Sequence, residues 1–173
     1  KNSASIGTLT NGAGVLGLAM VAAAGLAVKA FADFDQQMSA VQAATHESAA
    51  TMDLLREASL DAGKRTVYSA TEAAGAVEEL AKAGVEADDI LSGGLDGALD
   101  LAAAGAMDVG EAAGIAAVAL KQFHLEGSDV THVADLLAAG AGKAQGSVRD
   151  MTLAMKQVGS VAANAGLSIE ETT

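Results

Sequence analysis

The chain has 173 residues, 51% of them hydrophobic, with 20 Gly, one Tyr, three Phe and no Pro, Cys or Trp. Its formal net charge is −12, and its ten Lys and Arg are scattered, with only Lys64 and Arg65 adjacent. That balance argues against nucleic-acid binding by phosphate neutralisation, and the lack of Cys rules out a disulfide framework or a thiolate metal site.

Without Pro nothing forbids long helices, and Ala is the best helix former. Gly is over-represented against the roughly 7% of an average chain and costs about 1 kcal/mol in a helix interior. Many glycines should therefore mark helix ends or close helix contacts. A core filled mainly by Ala and Gly buries little area per residue, so marginal stability in isolation is expected, with partner chains supplying the rest.

Residues 1–11 are small and polar and read as a linker. Asn11 can cap a long first helix within 12–47, the second segment of the chain. Its start, Ala13–Val28, carries no charge and no hydrogen-bonding side chain. It is slightly short for a membrane span of about 20 residues and lacks the cleavage site of a secretion signal. Permanent lipid insertion, conditional insertion and burial against protein all fit it. Met20, Ala24, Ala27, Phe31, Phe34, Met38 and Val41 alternate four and three residues apart, the heptad seam of a coiled coil. They are the expected self-association residues; the core stripe of a helix within a bundle is the competing reading.

Residues 48–173 form the third segment. Ser48 caps a helix from Ala49 to Ala62 with Met52, Leu55 and Ala62 on one face, ended by Gly63. Ser69-Ala70-Thr71-Glu72 is a capping box, opening a helix with Val77, Leu80 and Ala81 inward that stops at Gly84. A fourth helix spans Glu86–Ala104, with acidic residues at its positive end and Ile90, Leu91, Leu95 and Leu99 apolar. A fifth runs from Asp108 to Phe123 through Ile115 and Leu120. Ser128 opens a sixth, with Val130, Val133, Ala134 and Leu137 on its stripe and Gly140 and Gly142 near its end. Ser147 with Asp150 opens a seventh, with Met151, Met155, Val158 and Ala162, closing at Gly166. No stretch alternates with period two. The expected fold is all-α: one long N-terminal helix followed by about six short antiparallel helices. Ser168-x-x-Glu171 starts a fresh helix just before Thr173, and the chain begins with Lys1, so the sequence reads as the ordered piece of a longer polypeptide. Glu72-Ala73-Ala74-Gly75 is echoed by Glu111-Ala112-Ala113-Gly114, which fits either a repeat or chance similarity in an Ala/Gly-rich chain.

Candidate chemistry is sparse. Gly12-Ala13-Gly14-Val15-Leu16-Gly17 matches a dinucleotide fingerprint, but that motif works only after a buried strand. Ile6–Asn11 is a poor strand, and close packing through small residues such as Ala13/Gly17 and Ala19/Ala23/Ala27 is the better account. His124 and His132 are eight apart without neighbouring ligands, so His46, His124 and His132 read as exposed or capping side chains. Glu78–Glu79, Asp88–Asp89 and Glu170–Glu171 are adjacent pairs, which diverge on a helix and share no site. No catalytic residue, cofactor or metal ligand is assigned, and an enzyme is not expected.

From Phe31-Ala-Asp-Phe-Asp-Gln-Gln-Met38 onward the chain resembles the core region of tail tape measure proteins of long-tailed phages. The likeness continues through Leu54-Leu55-Arg56-Glu57-Ala58, Ser69-Ala70-Thr71-Glu72-Ala73-Ala74 and Leu80-Ala81-Lys82-Ala83-Gly84. It goes on through Leu99-Asp100-Leu101-Ala102-Ala103-Ala104, Val133-Ala134-Asp135-Leu136-Leu137-Ala138, Met155-Lys156-Gln157-Val158-Gly159 and Ala165-Gly166-Leu167-Ser168-Ile169-Glu170-Glu171. Together these cover residues 31–173. The resemblance implies a rod-like virion protein lying along the tail-tube lumen, whose length sets that of the tail. It also implies release ahead of the DNA to help the genome cross the host envelope. The implied partners are further copies of itself, with a trimer favoured, together with tail-tube and distal tip proteins, assembly chaperones and the host membrane. The family offers no catalytic residue in this region to carry over. A membrane-active helical pore-former or secreted effector is the alternative.

Overall fold

The computed structural model of the chain describes residues 26–143 and 147–173, which are helical with no strand among them. The all-α expectation holds. The linker 1–11, most of Ala13–Val28 and the glycine motif of residues 12–17 lie outside the described residues. Compact packing divides the chain into Lys1–Gln36 and Gln37–Thr173. In the first unit, helix α1 (described over 26–45 and running on into the second) carries an i,i+4 pair between Lys29 Nζ and Asp33 Oδ2 at 2.5 Å.

The second unit is a series of short helices whose ends are written in local chemistry. After α1 the chain turns at His46, in the left-handed region, and Ser48 caps α2 (Ala49–Arg65) by accepting from the Thr51 N–H at 3.3 Å. The expected stop at Gly63 is not one, because α2 runs on to Arg65. Gly63 is required instead by packing: a Cβ there would lie 2.7 Å from the Ala70 backbone nitrogen. Helix α3 (Ala70–Lys82) starts at the predicted capping box. The Ser69 N–H donates to Glu72 Oε2 at 2.7 Å, and Ser69 Oγ accepts from the Glu72 N–H at 3.2 Å. It closes at Gly84, φ 91°, with the Val85 N–H donating back to the Leu80 carbonyl.

The single helix expected over 86–104 is broken into α4 (Ala87–Asp89), a π-helical turn (Ile90–Gly94) and α5 (Leu95–Gly105). The break sits at Gly93, φ 149°, a conformation that side-chain-bearing residues avoid. Its carbonyl accepts a hydrogen bond from Thr131 Oγ1 at 3.1 Å. Helix α6 (Val109–Phe123) is capped by Asp108, which accepts from the Gly110 and Glu111 N–H groups. The next start falls at Glu126 rather than Ser128. Asp129 accepts from the Glu126 N–H at 3.0 Å, and a 3₁₀ turn (Gly127–Asp129) leads into α7 (Val130–Lys143). Helix α8 (Val148–Asn164) begins at the Ser147/Asp150 capping box and α9 (Ile169–Thr172) at the Ser168/Glu171 box.

Helix α3 packs on α2 and most extensively on α6, α6 packs on α8, and α5 packs on both α6 and α7. The core combines aliphatic anchors such as Leu55, Leu80, Leu101 and Leu137 with fully buried alanines: Ala73, Ala74 and Ala76 on α3, and Ala112, Ala113 and Ala116 on α6. Two buried hydroxyls, Ser59 and Thr152, are satisfied by the carbonyls four residues back, Leu55 and Val148, at 2.9 and 2.8 Å.

Small residues set how closely these helices approach. A Cβ on Gly97 of α5 would lie 2.8 Å from Thr131 Cα on α7, a backbone atom with no room to yield. Gly97→Ala should therefore destabilise the fold by about 1–3 kcal/mol through overpacking. Gly142→Ala, where a new Cβ meets nothing within 4 Å, should be neutral or slightly stabilising. Urea denaturation followed by circular dichroism distinguishes the two.

Candidate interaction surfaces

The seven seam positions are not one surface. Met20 and Ala24 lie outside the described residues, while Ala27 is exposed and Phe31 is 67% exposed. Phe34, Met38 and Val41 are buried, at 5%, 1% and 0% exposure in a single chain. Within the second unit, the C-terminal part of α1 is tied down by polar contacts as well. Gln37 Nε2 donates to Glu78 Oε2 on α3 at 2.6 Å, and Thr45 Oγ1 donates to the Val41 carbonyl and reaches Met52 Sδ on α2. The heptad spacing thus runs from an open face into residues already covered.

A second apolar surface was not expected. Helix α8 buries Val148, Thr152, Met155, Gly159 and Ala162, yet Leu153, Val158 and Val161 are 53%, 52% and 68% exposed. Val158, grouped from the sequence with Met151, Met155 and Ala162, lies on this outer side. The helix is held at its start by a bidentate pair: Arg149 Nε and Nη2 donate to Glu111 Oε1 and Oε2 at 2.9 and 2.6 Å. The guanidinium holds the Glu111 carboxyl below its ordinary value.

The charged candidates resolve into structural partners. Glu78 and Glu79 both bind Lys82 Nζ, at 2.7 and 3.0 Å. Lys82, aided by Gln37, lowers the Glu78 pKa. His46 and His124 occupy left-handed positions at helix ends. His132 Nε2 lies 2.8 Å from Glu170 Oε1, pinning α9 to α7. Among the described residues no group of three His, Asp or Glu is placed to hold a metal ion. No single described helix is long and apolar enough to cross a membrane; one pair bent by 112°, Ala87–Gly105 with Val109–Phe123, passes on length and composition alone. The Arg149–Glu111, His132–Glu170 and Gln37–Glu78 contacts were missed because they join residues 38–41 positions apart, beyond any local pattern.

What these surfaces offer is helix faces to pack against, the property of an assembly protein. Residues 56–173 match the family described as phage-related minor tail protein, and the chain belongs to that family. It is 37% identical over 155 residues to the "Tape measure protein" of Pneumococcus phage Dp-1, covering 90% of this chain and 13% of that protein. It is 32% identical over 173 residues to the "Probable tape measure protein" of Escherichia phage P2, covering 99% of this chain and 21% of that protein. The chain thus spans a small part of the length of these relatives. No solved structure gives a significant match.

The His132–Glu170 contact has a measurable pH signature. Hydrogen bonding to His132 first, then to Ser168, holds the Glu170 carboxyl from its ordinary 4.5 down to about 2. A depressed carboxyl stabilises the docked state above its unfolded pKa, and that stabilisation is lost as pH falls from about 4.5 towards 2. The Ile169 methyl resonance should therefore shift across this window. In Glu170→Gln the shift should be absent, and an unchanged transition would show that another group carries it.

Proposed function

We propose that this chain is a folded, packing module of a phage tail tape measure protein, one that determines tail length during assembly. The single observation that carries this reading is the family match over residues 56–173, with two relatives bearing that name. The geometry adds what kind of part it is. Residues 37–173 form a packed unit of short helices, whereas a ruler gains most length from straight helix, at about 1.5 Å per residue. Laid out straight, the 35 residues 109–143, α6 through α7, would span about 52 Å. Packed side by side, neighbouring helices sit only about 8–10 Å apart. The module reads as a folded station on the tape rather than a stretch of its measuring rod.

Copies associate through the uncovered part of the seam, Ala27 and Phe31, continued in sequence by Met20 and Ala24; three copies follow from the family resemblance. Tail-tube and tip proteins and assembly chaperones are the other partners. Release towards the host envelope, with Ala13–Val28 meeting lipid, is the delivery step. The chain acts through packing, without catalysis or cofactor.

Two measurements test this reading. Electron microscopy of tails assembled with a variant lacking residues 109–143 should show tail length almost unchanged; shortening by about 52 Å would make the segment part of the rod. Phe31→Asp should abolish self-association in sedimentation velocity with the melting temperature preserved. Phe34→Asp should lower stability by at least about 3 kcal/mol, since it removes a buried aromatic. Identical behaviour of the two variants would contradict the division of the seam.

A further inference from the structure

The Glu-Ala-Ala-Gly echo is one trace of a longer register. Five turns share one design: a left-handed residue, a single linker residue, then an N-cap; one of them, at Ala106 (φ 48°) before the cap Asp108, joins α5 to α6. The left-handed residues of the other four are His46, Gly84, His124 and Gly166, with φ of 57°, 91°, 54° and 85°. The caps two positions on are Ser48, Glu86, Glu126 and Ser168. Three of these four are closed alike, by Val85, Leu125 and Leu167 N–H groups donating to the Leu80, Leu120 and Ala162 carbonyls, as the Ala106 turn is by the Met107 N–H donating to the Ala102 carbonyl. The turns at His46, Gly84, His124 and Gly166 are 38, 40 and 42 residues apart.

The helices leading into these turns keep a stricter spacing. The N-caps of α3, α6 and α8 are Ser69, Asp108 and Ser147, each 39 residues after the last. Each is followed three positions on by a carboxylate, Glu72, Glu111 or Asp150. Four side-chain bonds between elements lie close to this period, Gln37–Glu78, Gly93–Thr131, Glu111–Arg149 and His132–Glu170 joining residues 38–41 apart, whereas Arg65–Asp96 joins residues 31 apart. Equivalent helices of successive hairpins are therefore neighbours, the arrangement of a helical repeat array in which each unit buries its face against the next.

The register sharpens the meaning of the exposed face of α8. Met38, Val77, Ala116 and Met155 are equivalent at 39-residue spacing, and all four are buried. Val41, Leu80, Ala119 and Val158 are equivalent too. The first three are 0%, 0% and 3% exposed, whereas Val158 is 52% exposed. Ala76 and Ile115 are buried, while their equivalent Ala154 is exposed. Leu80 lies on α3, against which α6 packs, and Ala119 lies on α6, against which α8 packs. Among the described residues no helix of the series packs beyond α8.

We infer that the face of α8 bearing Ala154, Val158 and Val161 is a docking face for the first helix of one further hairpin of this 39-residue register, carried by the tape measure polypeptide. That source rests on the tail-protein reading above; the docking face rests on the register alone. A second copy of the chain is the competing occupant. It lacks the continuity with the α3–α6 and α6–α8 interfaces that a further hairpin would have.

The chain has no Cys, so single thiols report the face directly. Val158→Cys and Val161→Cys are compared with Val67→Cys, at a residue 92% exposed, by thiol alkylation rate. Each is measured in the 173-residue chain and in the tape measure polypeptide extended through the next hairpin. In the extended polypeptide the rates at 158 and 161 should fall at least tenfold while that at 67 stays constant. Equal rates in the two polypeptides would overturn the proposal. Protection already present in the 173-residue chain and growing with its concentration would overturn it as well, assigning the face to a second copy. Val161→Ser, read by hydrogen exchange across α8, repeats the comparison without a thiol. Failure here with tail length still behaving as expected would reject the docking face and leave the tail function standing.

Discussion

Close approach of helix backbones through small side chains is the constraint on which this structure depends. Alanine buries little area, at about 25 cal/mol per Å² of apolar surface, so each helix contact is individually weak. What compensates is proximity. Ala73 and Ala74 of α3 and Ala112 and Ala113 of α6 are wholly buried, and Gly63 and Gly97 bring neighbouring backbone nearer than any side chain would allow. Dispersion falls steeply with distance, so a fold of this composition tolerates almost no added volume at its crossings. The larger residues, Leu55, Leu80, Leu101 and Leu137, act as anchors between the alanine-lined contacts.

The same constraint explains why helix ends are so heavily specified. With little burial energy per residue, short helices gain from every satisfied terminal group. Ser69, Ser147 and Ser168 each open a capping box, and left-handed residues close α1, α3, α5, α6 and α8. Two of those residues are histidines, which accounts for His46 and His124 without any ligand chemistry. The third, His132, holds α9 in place through Glu170. Carboxylates at helix starts likewise answer to backbone N–H groups and the helix dipole, so the acidic balance is largely an architectural one.

For a tail protein, this packing separates two roles that one apolar helix can suggest. Residues of the same heptad pattern serve the chain's own core at Met38 and Val41 and are open at Phe31. A repeated hairpin can be lengthened unit by unit, yet it gains little extent per residue compared with a straight helix. On the proposed reading, packed hairpins and extended helix would be different parts of one tape, and membership in the minor tail protein family is compatible with both.

Helix identity and most boundaries were legible in the sequence, because caps and glycine stops act within four residues. The capping boxes at Ser69, Ser147 and Ser168 and the helix from Asp108 to Phe123 needed no tertiary information. The break at Gly93 did, since Gly-Gly permits a kink while the Thr131 hydroxyl, 38 residues away, donates to the freed carbonyl. Gly63 looked like a stop and is a contact, because only the fold brings Ala70 against it. Spacing alone placed Val41 and Val158 on apolar stripes. Which of them is covered was decided by the order in which helices stack, for burial depends on a neighbour that local sequence does not contain.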